Sequence, residues 1–144
     1  MAKRITWEEL AASARSQLKP KKTRRAPSHE EHDLQCACVN WFNLQHPNMR
    51  LNLFAVPNGG RRDKVTGARL KAEGVRPGVS DLILLKQRHG YGALLIEMKT
   101  SKGVLSQLQR IWRNHVSLDG YKYVVCRSVQ DFIKEINEYL NEEE

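Results

Sequence analysis

Residues 81–99, DLILLKQRHGYGALLIEMK, carry the strongest fold signal in the chain. This stretch holds two apolar runs, 82–85 and 93–96, on either side of a polar segment that contains His89 and Gly90. Apolar runs without alternation are typical of short strands that are buried on both faces. The pattern therefore predicts two neighbouring buried strands, 81–87 and 91–97, joined by a hairpin centred on His89.

Three charged residues interrupt this apolar pattern. Glu97 and Lys99 are two residues apart, so their side chains leave the same face of one strand. The hairpin places Asp81 opposite Glu97, and Cβ atoms of directly opposite residues lie about 4.5–5.5 Å apart. Two carboxylates at this distance repel each other and are costly to bury unpaired. This cost is the reason to expect a cation between Asp81 and Glu97.

The chemistry expected of such a site is metal-dependent hydrolysis. Carboxylate oxygens, a backbone carbonyl and retained waters suit Mg²⁺ or Mn²⁺. Such a cation lowers the pKa of a bound water and stabilises a phosphate transition state. Lys99 would orient the attacking water or neutralise charge on the phosphoryl group. The alternative is a salt-bridge cluster at a strand end, which the charged residues alone do not exclude.

The flanking sequence predicts further elements in the order α-β-(α)-β-β-α-β-α, an α/β fold with helices on both sides of a mixed sheet. The predicted boundaries follow from apolar periodicity, capping-box spacings and turn residues. They are a helix over 5–18 capped by Thr6 and Glu9, a linker over 19–27, a helix over 28–46 capped by Ser28, a strand over 50–56, a helix over 64–73 ended by Gly74, a helix over 106–118, a strand over 121–126, and a last helix capped by Ser128.

Charge and composition point to nucleic acid as a partner. The 144 residues carry a net charge of +8 at a pI of about 9.6. Residues 1–28 carry +6 of this, so we expect a basic, flexible N-terminal arm over 1–27 and a folded domain over 28–144. No apolar stretch suits a membrane helix or a secretory signal, and three cysteines favour reduced thiols. We therefore expect a cytoplasmic protein without a membrane partner.

A phosphate-binding surface is predicted beside the strands. Its first part is a turn whose backbone N–H groups and guanidiniums could cradle phosphate, and its second part is a track of basic side chains. An ordinary turn and solvated helix charges explain these residues equally well. The candidates are Asn58, Gly59, Gly60, Arg61, Arg62, Lys64, Lys71 and Arg76.

A zinc site and base-stacking aromatic residues are the less favoured interpretations of other residues. Cys36 and Cys38 lie close to His32, but residues two apart on a helix point about 200° away from each other. These two thiols therefore cannot share one ion, and core thiols are the better account, for Cys126 also. Trp41 and Trp112 are likewise predicted to be core residues.

Five segments in order resemble the VRR-NUC family, from about Ser28 to Leu140. Asp81, a gap of fifteen residues and Glu97-Met98-Lys99 form the PD-(D/E)XK arrangement. Each segment is weak alone, but five in the right order and spacing are specific. The segments are EHDLQ at 31–35, VPNGG at 56–60, KAEGVRPGVSDL at 71–82, IEMK at 96–99, and Leu105-Ser106 followed by Gln109 and Trp112.

The resemblance implies a restriction-endonuclease-like fold with an α-β-β-β-α-β core and metal-dependent cleavage of DNA. It implies that Asp81, Glu97 and the Met98 carbonyl bind the metal. Glu31 matches the family's acidic residue on the first helix, with Glu30 as the rival ligand, and Gln109 matches the family glutamine, to which we assign a catalytic role. One departure is Ser80, which stands where the superfamily motif has proline.

The resemblance also implies a structure-selective nuclease related to Holliday-junction resolvases, acting as a homodimer. A nicking or flap-type nuclease is the alternative within the class. A catalytically silent nucleic-acid-binding module of the same fold is the alternative outside it. The small size would suit a bacterial or phage-infected cell as the source.

Overall fold

The computed structural model describes residues 6–17, 29–57 and 64–142. The predicted order of elements is confirmed, with one 3₁₀ helix added. The helices are α1 (Trp7–Gln17), α2 (Glu30–Gln45), α3 (Lys64–Ala72), α4 (Gln107–Leu118) and α5 (Val129–Leu140); the strands are β1 (Leu53–Ala55), β2 (Leu82–Leu84), β3 (Leu94–Met98) and β4 (Lys122–Cys126); the 3₁₀ helix spans Pro47–Asn52.

The four strands form one mixed sheet in the order β1-β2-β3-β4. β1 and β2, and β2 and β3, pair antiparallel, whereas β3 and β4 pair parallel. Leu82 pairs with Ile96, so the predicted register of β2 and β3 is confirmed, but the strands are shorter than the predicted 81–87 and 91–97, and Arg88 pairs with Tyr91, one residue out of that register. The turn between the two strands has positive φ at both His89 (52°) and Gly90 (80°), as a two-residue type I′ turn requires.

The hydrophobic core lies between one face of the sheet and helices α2 and α5. Alternate residues of β3, including Leu94, Ile96 and Met98, point into it, because strand side chains alternate between faces. Phe42 of α2 and Phe132 of α5 are fully buried against them. Glu97, between two core residues, therefore belongs to the opposite face.

That opposite face packs against α4, which in turn contacts α1. The predicted capping box of α1 is present: Glu9 N donates to Thr6 Oγ1, and Thr6 N donates to Glu9 Oε2. Ala11 of α1 is buried. The linker over 19–27 and the Ser28 cap lie outside the described residues, so the boundary between arm and domain stays a prediction.

The predicted strand over 50–56 is wrong in its first half. A 3₁₀ helix occupies Pro47–Asn52, and only Leu53–Ala55 pair with β2. Pro47 at the first helical position favours this turn because its φ is already fixed near the helical value. The alternation that predicted a longer strand fails at Leu51, whose side chain is 97% exposed.

The helix ends predicted at Ser128 and Gly74 agree with the structure, whereas α2 begins at Glu30 with His29 at its N-cap and no side-chain cap hydrogen bond. Ser106 and Ser128 cap α4 and α5 through their side-chain oxygens. Gly74 follows α3 with φ of 103°, the left-handed conformation that a helix-ending glycine supplies. None of the described helices is long and apolar enough to span a membrane.

Candidate active site

Glu97 is the centre of the candidate site. It is 2% exposed, in the interior of a sheet where a carboxylate is unusual. Its Oε1 accepts a hydrogen bond from Gln109 Nε2 at 2.9 Å and lies 3.6 Å from Lys99 Nζ. Its Oε2 is buried with no hydrogen-bond partner among the described residues. One oxygen is therefore held in place, and the other needs a donor or a cation.

Asp81 lies beside this carboxylate, as the hairpin register predicts. Its Oδ2 accepts a hydrogen bond from the Met98 backbone N–H at 2.7 Å, which fixes the carboxylate against β3. Burial raises the pKa of Glu97 to about 8, and repulsion from Asp81 adds to the shift. Lys99 opposes it. The pair therefore stores electrostatic repulsion that a cation would relieve.

Gln109 connects this carboxylate to the start of α4. Its Nε2 donates to Glu97, while its Oε1 accepts from the Ser106 backbone N–H at 2.8 Å. Ser106 Oγ in turn accepts from Gln109 N, which completes a capping box. Both ends of the amide are used, so the helix start fixes where the donor to Glu97 lies.

The loop before Asp81 is also fixed against α4. Gly78, with φ of 87°, packs against the backbone of Leu108 and Gln109. Ser80, at the position of the motif proline, is fully buried, and its Oγ donates to the Leu82 carbonyl at 3.2 Å. A local hydrogen bond thus takes the place of proline's rigidity.

The turn after Lys99 is held by Arg127, a residue that the sequence did not single out. Its Nη1 donates to the carbonyls of Thr100 at 2.8 Å and Gly103 at 2.6 Å. A Cβ on Gly103 would stand 3.3 Å from Lys99 Cδ, so this turn packs closely along the lysine stem. Arg127 follows β4 directly, and no spacing in the sequence relates it to Lys99.

Tyr123 is a second residue that sequence reasoning missed. It pairs with Leu95 on β3, and alternation therefore places it on the same face as Glu97. Its hydroxyl is buried with no hydrogen-bond partner among the described residues. Burial and the charge of Glu97 raise the pKa of Tyr123, and Arg113 opposes this. The signal in the sequence was a hydroxyl inside a predicted buried strand.

Glu31 is not brought into this group. It lies half-buried in the first turn of α2. Within residues 6–17, 29–57 and 64–142, no three His, Cys, Asp or Glu side chains are placed to hold a metal ion together. The role of Glu31 as a metal ligand stays a prediction, and the fit of a metal rests on Asp81, Glu97 and Met98.

The thiols and indoles are only partly core residues. Cys38 and Cys126 are buried, but the prediction of a core thiol is wrong for Cys36, which is exposed with its Sγ 3.5 Å from His32 Nε2. Cys36 lies on the side of α2 that faces away from the core, so its side chain is exposed to solvent. Trp41 and Trp112 are half-buried, and Trp41 packs against the core cluster.

The predicted phosphate surface is described only in part. Asn58, Gly59, Gly60, Arg61 and Arg62 lie outside the described residues, and of Lys64 only the backbone is described, at the start of α3. Lys71 is exposed in the last turn of α3. Arg76 is exposed, and its Nη1 lies 3.4 Å from Glu8 Oε1 on α1.

The residues present fit a hard divalent cation. In the described part of the chain, Glu97 Oε2 is a buried oxygen that receives no hydrogen bond, and Asp81 lies beside this carboxylate. Mg²⁺ binds oxygen ligands, takes only a few of them from the protein and keeps several waters. Two carboxylates and the Met98 carbonyl match this preference. The arrangement has no thiolate or imidazole, which softer metals favour.

Asp81 directly before β2, Glu97 in β3 and Lys99 directly after β3 stand in the arrangement of the PD-(D/E)XK superfamily. The VRR-NUC domain family model matches residues 16–130, and the chain therefore belongs to that family. The family gives the domain a nuclease-type function that acts on DNA.

A solved structure supports the fold. It is described as a VRR-NUC domain protein, superposes with a TM-score of 0.68, and is 24% identical over 80% of this chain and 91% of that chain. No curated protein matches this chain in sequence. The restriction-endonuclease-like α/β fold predicted from the sequence is thus confirmed.

Proposed function

We propose that this protein is a Mg²⁺- or Mn²⁺-dependent DNA endonuclease that hydrolyses phosphodiester bonds and prefers branched DNA such as a four-way junction. The observation that carries the proposal is the buried Glu97 carboxylate, with one oxygen held by Gln109 and Lys99 and the other without a partner in the described structure. Burial of a carboxyl group with one oxygen unpaired is costly, which a bound cation would offset.

Asp81, Glu97 and the Met98 carbonyl would hold the metal, with Glu31 as a further predicted ligand. When bound, the metal would activate water and stabilise charge on phosphate. The Met98 N–H bond to Asp81 keeps one carboxylate oriented. Gln109 does the same for Glu97. Oriented ligands of this kind need no rearrangement at the moment of reaction, which is how preorganised sites accelerate chemistry.

Lys99 and Gln109 carry the roles that complete the site. The Lys99 ammonium lies 3.6 Å from Glu97 and is 11% exposed, so it offers a desolvated positive charge to a phosphoryl oxygen or the attacking water. Gln109 has no proton to exchange near neutral pH. It therefore acts by holding Glu97.

Affinity for DNA would come from the basic surface. Lys71 and Arg76 are exposed in the described part of the chain, and residues 1–28 carry a net charge of +6. Contacts from these side chains to phosphates would release counterions and make binding fall steeply with salt. They would position DNA without reading its sequence.

A silent DNA-binding module is the second candidate from another class. Such a module gains nothing from a buried acidic pair, which repels phosphate and costs stability. A nicking or flap-type nuclease differs from a junction resolvase only in the DNA that fits the site. We further propose that the protein forms a homodimer, which light scattering would test. The proposed setting is the cytoplasm of a bacterial or phage-infected cell.

The deciding experiment is cleavage of labelled single-stranded, duplex, flap and four-way-junction DNA in Mg²⁺, Mn²⁺ or EDTA. The wild type is compared with Lys99→Ala and with Lys102→Ala, which removes an exposed lysine three residues away. We expect metal-dependent cleavage by the wild type and Lys102→Ala, strongest on junctions, and none by Lys99→Ala. Binding without cleavage in either metal would favour the silent module.

A further inference from the structure

A cavity of about 400 Å³ lies between α1 and α4, next to the loop that precedes Asp81. It is lined by Trp7, Leu10, Arg76, Ile111, Trp112 and His115. Building on the proposed function, we propose that this cavity binds the base of one unpaired nucleotide of the DNA substrate, close to the bond that is cut.

The chemistry of the walls fits a nucleobase. The indoles of Trp7 and Trp112 and the aliphatic side chain of Ile111 present apolar surface, on which any base stacks because every base has a π-face. Pockets for small ligands begin at about 300 Å³, so a single base has room. A paired base is held within its own stack and is not free to enter. The cavity is therefore suited to an unpaired nucleotide.

The rim of the cavity carries the charge that a nucleotide needs. Arg76 lies at its edge and now pairs with Glu8 at 3.4 Å, with both side chains about half exposed or more. Exposed ion pairs of this kind are weak. A phosphate, which accepts two parallel hydrogen bonds from a guanidinium, would compete well with Glu8 for Arg76.

The position of the cavity ties it to the candidate active site. Trp112 lies three residues after Gln109 on α4, which is about 4.5 Å further along the helix axis at 1.5 Å per residue. Gln109 contacts Glu97 directly, and Arg76 is five residues before Asp81. A DNA strand advances about 3.4 Å per nucleotide. A base in the cavity would thus belong to a nucleotide within a few steps of the phosphate held at Glu97.

This cavity would make the enzyme select branch points. A flap, gap or junction offers unpaired or easily unpaired nucleotides, whereas continuous duplex does not. Trp7 and Leu10 lie before residue 16, where the family match begins, so one wall is built by a part of the chain outside the matched region.

The test compares binding of two DNAs of the same sequence in EDTA, one fully paired and one with a single unpaired 2-aminopurine at a flap. Wild type is compared with Trp7→Ala, Trp7→Phe and Tyr91→Ala, the last removing a partly exposed aromatic residue of the hairpin turn that does not line the cavity. We expect the wild type to prefer the flap DNA about tenfold and to quench the 2-aminopurine. Trp7→Ala should lose both effects, Trp7→Phe should keep most of them, and Tyr91→Ala should match the wild type.

Equal affinity of the wild type for the two DNAs, or a flap preference that Trp7→Ala retains, would overturn the inference. Thermal unfolding of each variant separates a lost wall from a lost fold. Cleavage in Mg²⁺ is measured separately and decides the proposed function. A wild type that cuts DNA without a flap preference would leave that function standing while refuting the base-binding cavity.

Discussion

Gly78 and Leu108 are in such close contact that a β-carbon on Gly78 would stand 2.7 Å from both the carbonyl carbon and the carbonyl oxygen of Leu108. The contact joins the loop before Asp81 to the first turn of α4, which carries Gln109. The distance between the two halves of the candidate site is therefore set by a residue without a side chain.

Gly78→Ala should destabilise the protein by about 3 kcal/mol, because a left-handed conformation costs a non-glycine residue roughly 1–2 kcal/mol and overlap with backbone adds to it. The control is Gly74→Ala, which has φ of 103° but nothing within 4 Å of the new methyl group. We expect it to cost only the conformational part. Urea unfolding measures both, and equal losses would contradict the contact.

Gln109→Ala should lose stability by about 1–2 kcal/mol and cleavage by more than tenfold, because it removes both the acceptor for the Ser106 N–H, which is one half of the capping box, and the donor to Glu97. Gln109→Glu separates the two effects. It keeps an acceptor for Ser106 N–H but places a second negative charge beside Glu97. We expect its α4 to stay capped while cleavage is lost. Gln107→Ala, an exposed neighbour, should change neither stability nor cleavage.

The metal-free protein should lose stability as the pH rises from about 4.5 towards 8. The folded pKa of Glu97 is raised to about 8 from 4.5, so the folded state binds more protons in this window, and stability falls where the native state holds the extra proton. Glu97→Gln should remove this loss and exceed the wild type at pH 8 by at least about 1 kcal/mol.

Thermal unfolding in EDTA from pH 5 to 8.5 measures this difference. Both proteins carry the same histidines, so subtracting one curve from the other isolates Glu97. Parallel curves would show that Glu97 is already ionised at neutral pH without metal. Mg²⁺ should stabilise the wild type more at pH 8 than at pH 6, because the cation binds the ionised carboxylate.

Arg127→Ala should loosen the turn that follows Lys99, since one guanidinium nitrogen holds the carbonyls of Thr100 and Gly103. We expect a loss of about 1–3 kcal/mol, in the range of hydrogen bonds to charged groups, and a lower kcat. Arg110→Ala is the control, because Arg110 holds only the Leu105 carbonyl from an exposed position. Hydrogen exchange at residues 100–103 should rise in Arg127→Ala alone.

Tyr123→Phe should stabilise the metal-free protein by about 1 kcal/mol, because it removes a buried hydroxyl that has no partner in the described structure. Tyr121→Phe makes the same change at an exposed residue before the same strand and should be neutral. Denaturant midpoints decide between them. A destabilised Tyr123→Phe would mean that the hydroxyl is hydrogen-bonded through water.

Elements that depend on contacts between residues close in the chain could be predicted from the sequence. The apolar runs of β2 and β3, the caps at Thr6 and Ser128, and the glycine that ends α3 follow from local sterics and hydrogen bonding. The register of β2 with β3, which brings Asp81 beside Glu97, was also predictable from the apolar runs. The family resemblance identified Gln109 before its contact with Glu97 was known.

Contacts between residues distant along the chain could not be predicted in this way, because they depend on how the elements pack. The hold of Arg127 on the turn after Lys99, the buried hydroxyl of Tyr123 and the contact of Gly78 with α4 depend on how parallel β4 and α4 pack against the sheet. A 3₁₀ turn at Pro47–Asn52 stands where the sequence predicts a strand. A strand extends only as far as its partner, and β2 pairs with β1 over only three residues. Apolar periodicity shows which face of an element is buried. It does not show which elements pack together. The cavity beside Trp7 and Trp112 depends on the packing of α1 against α4.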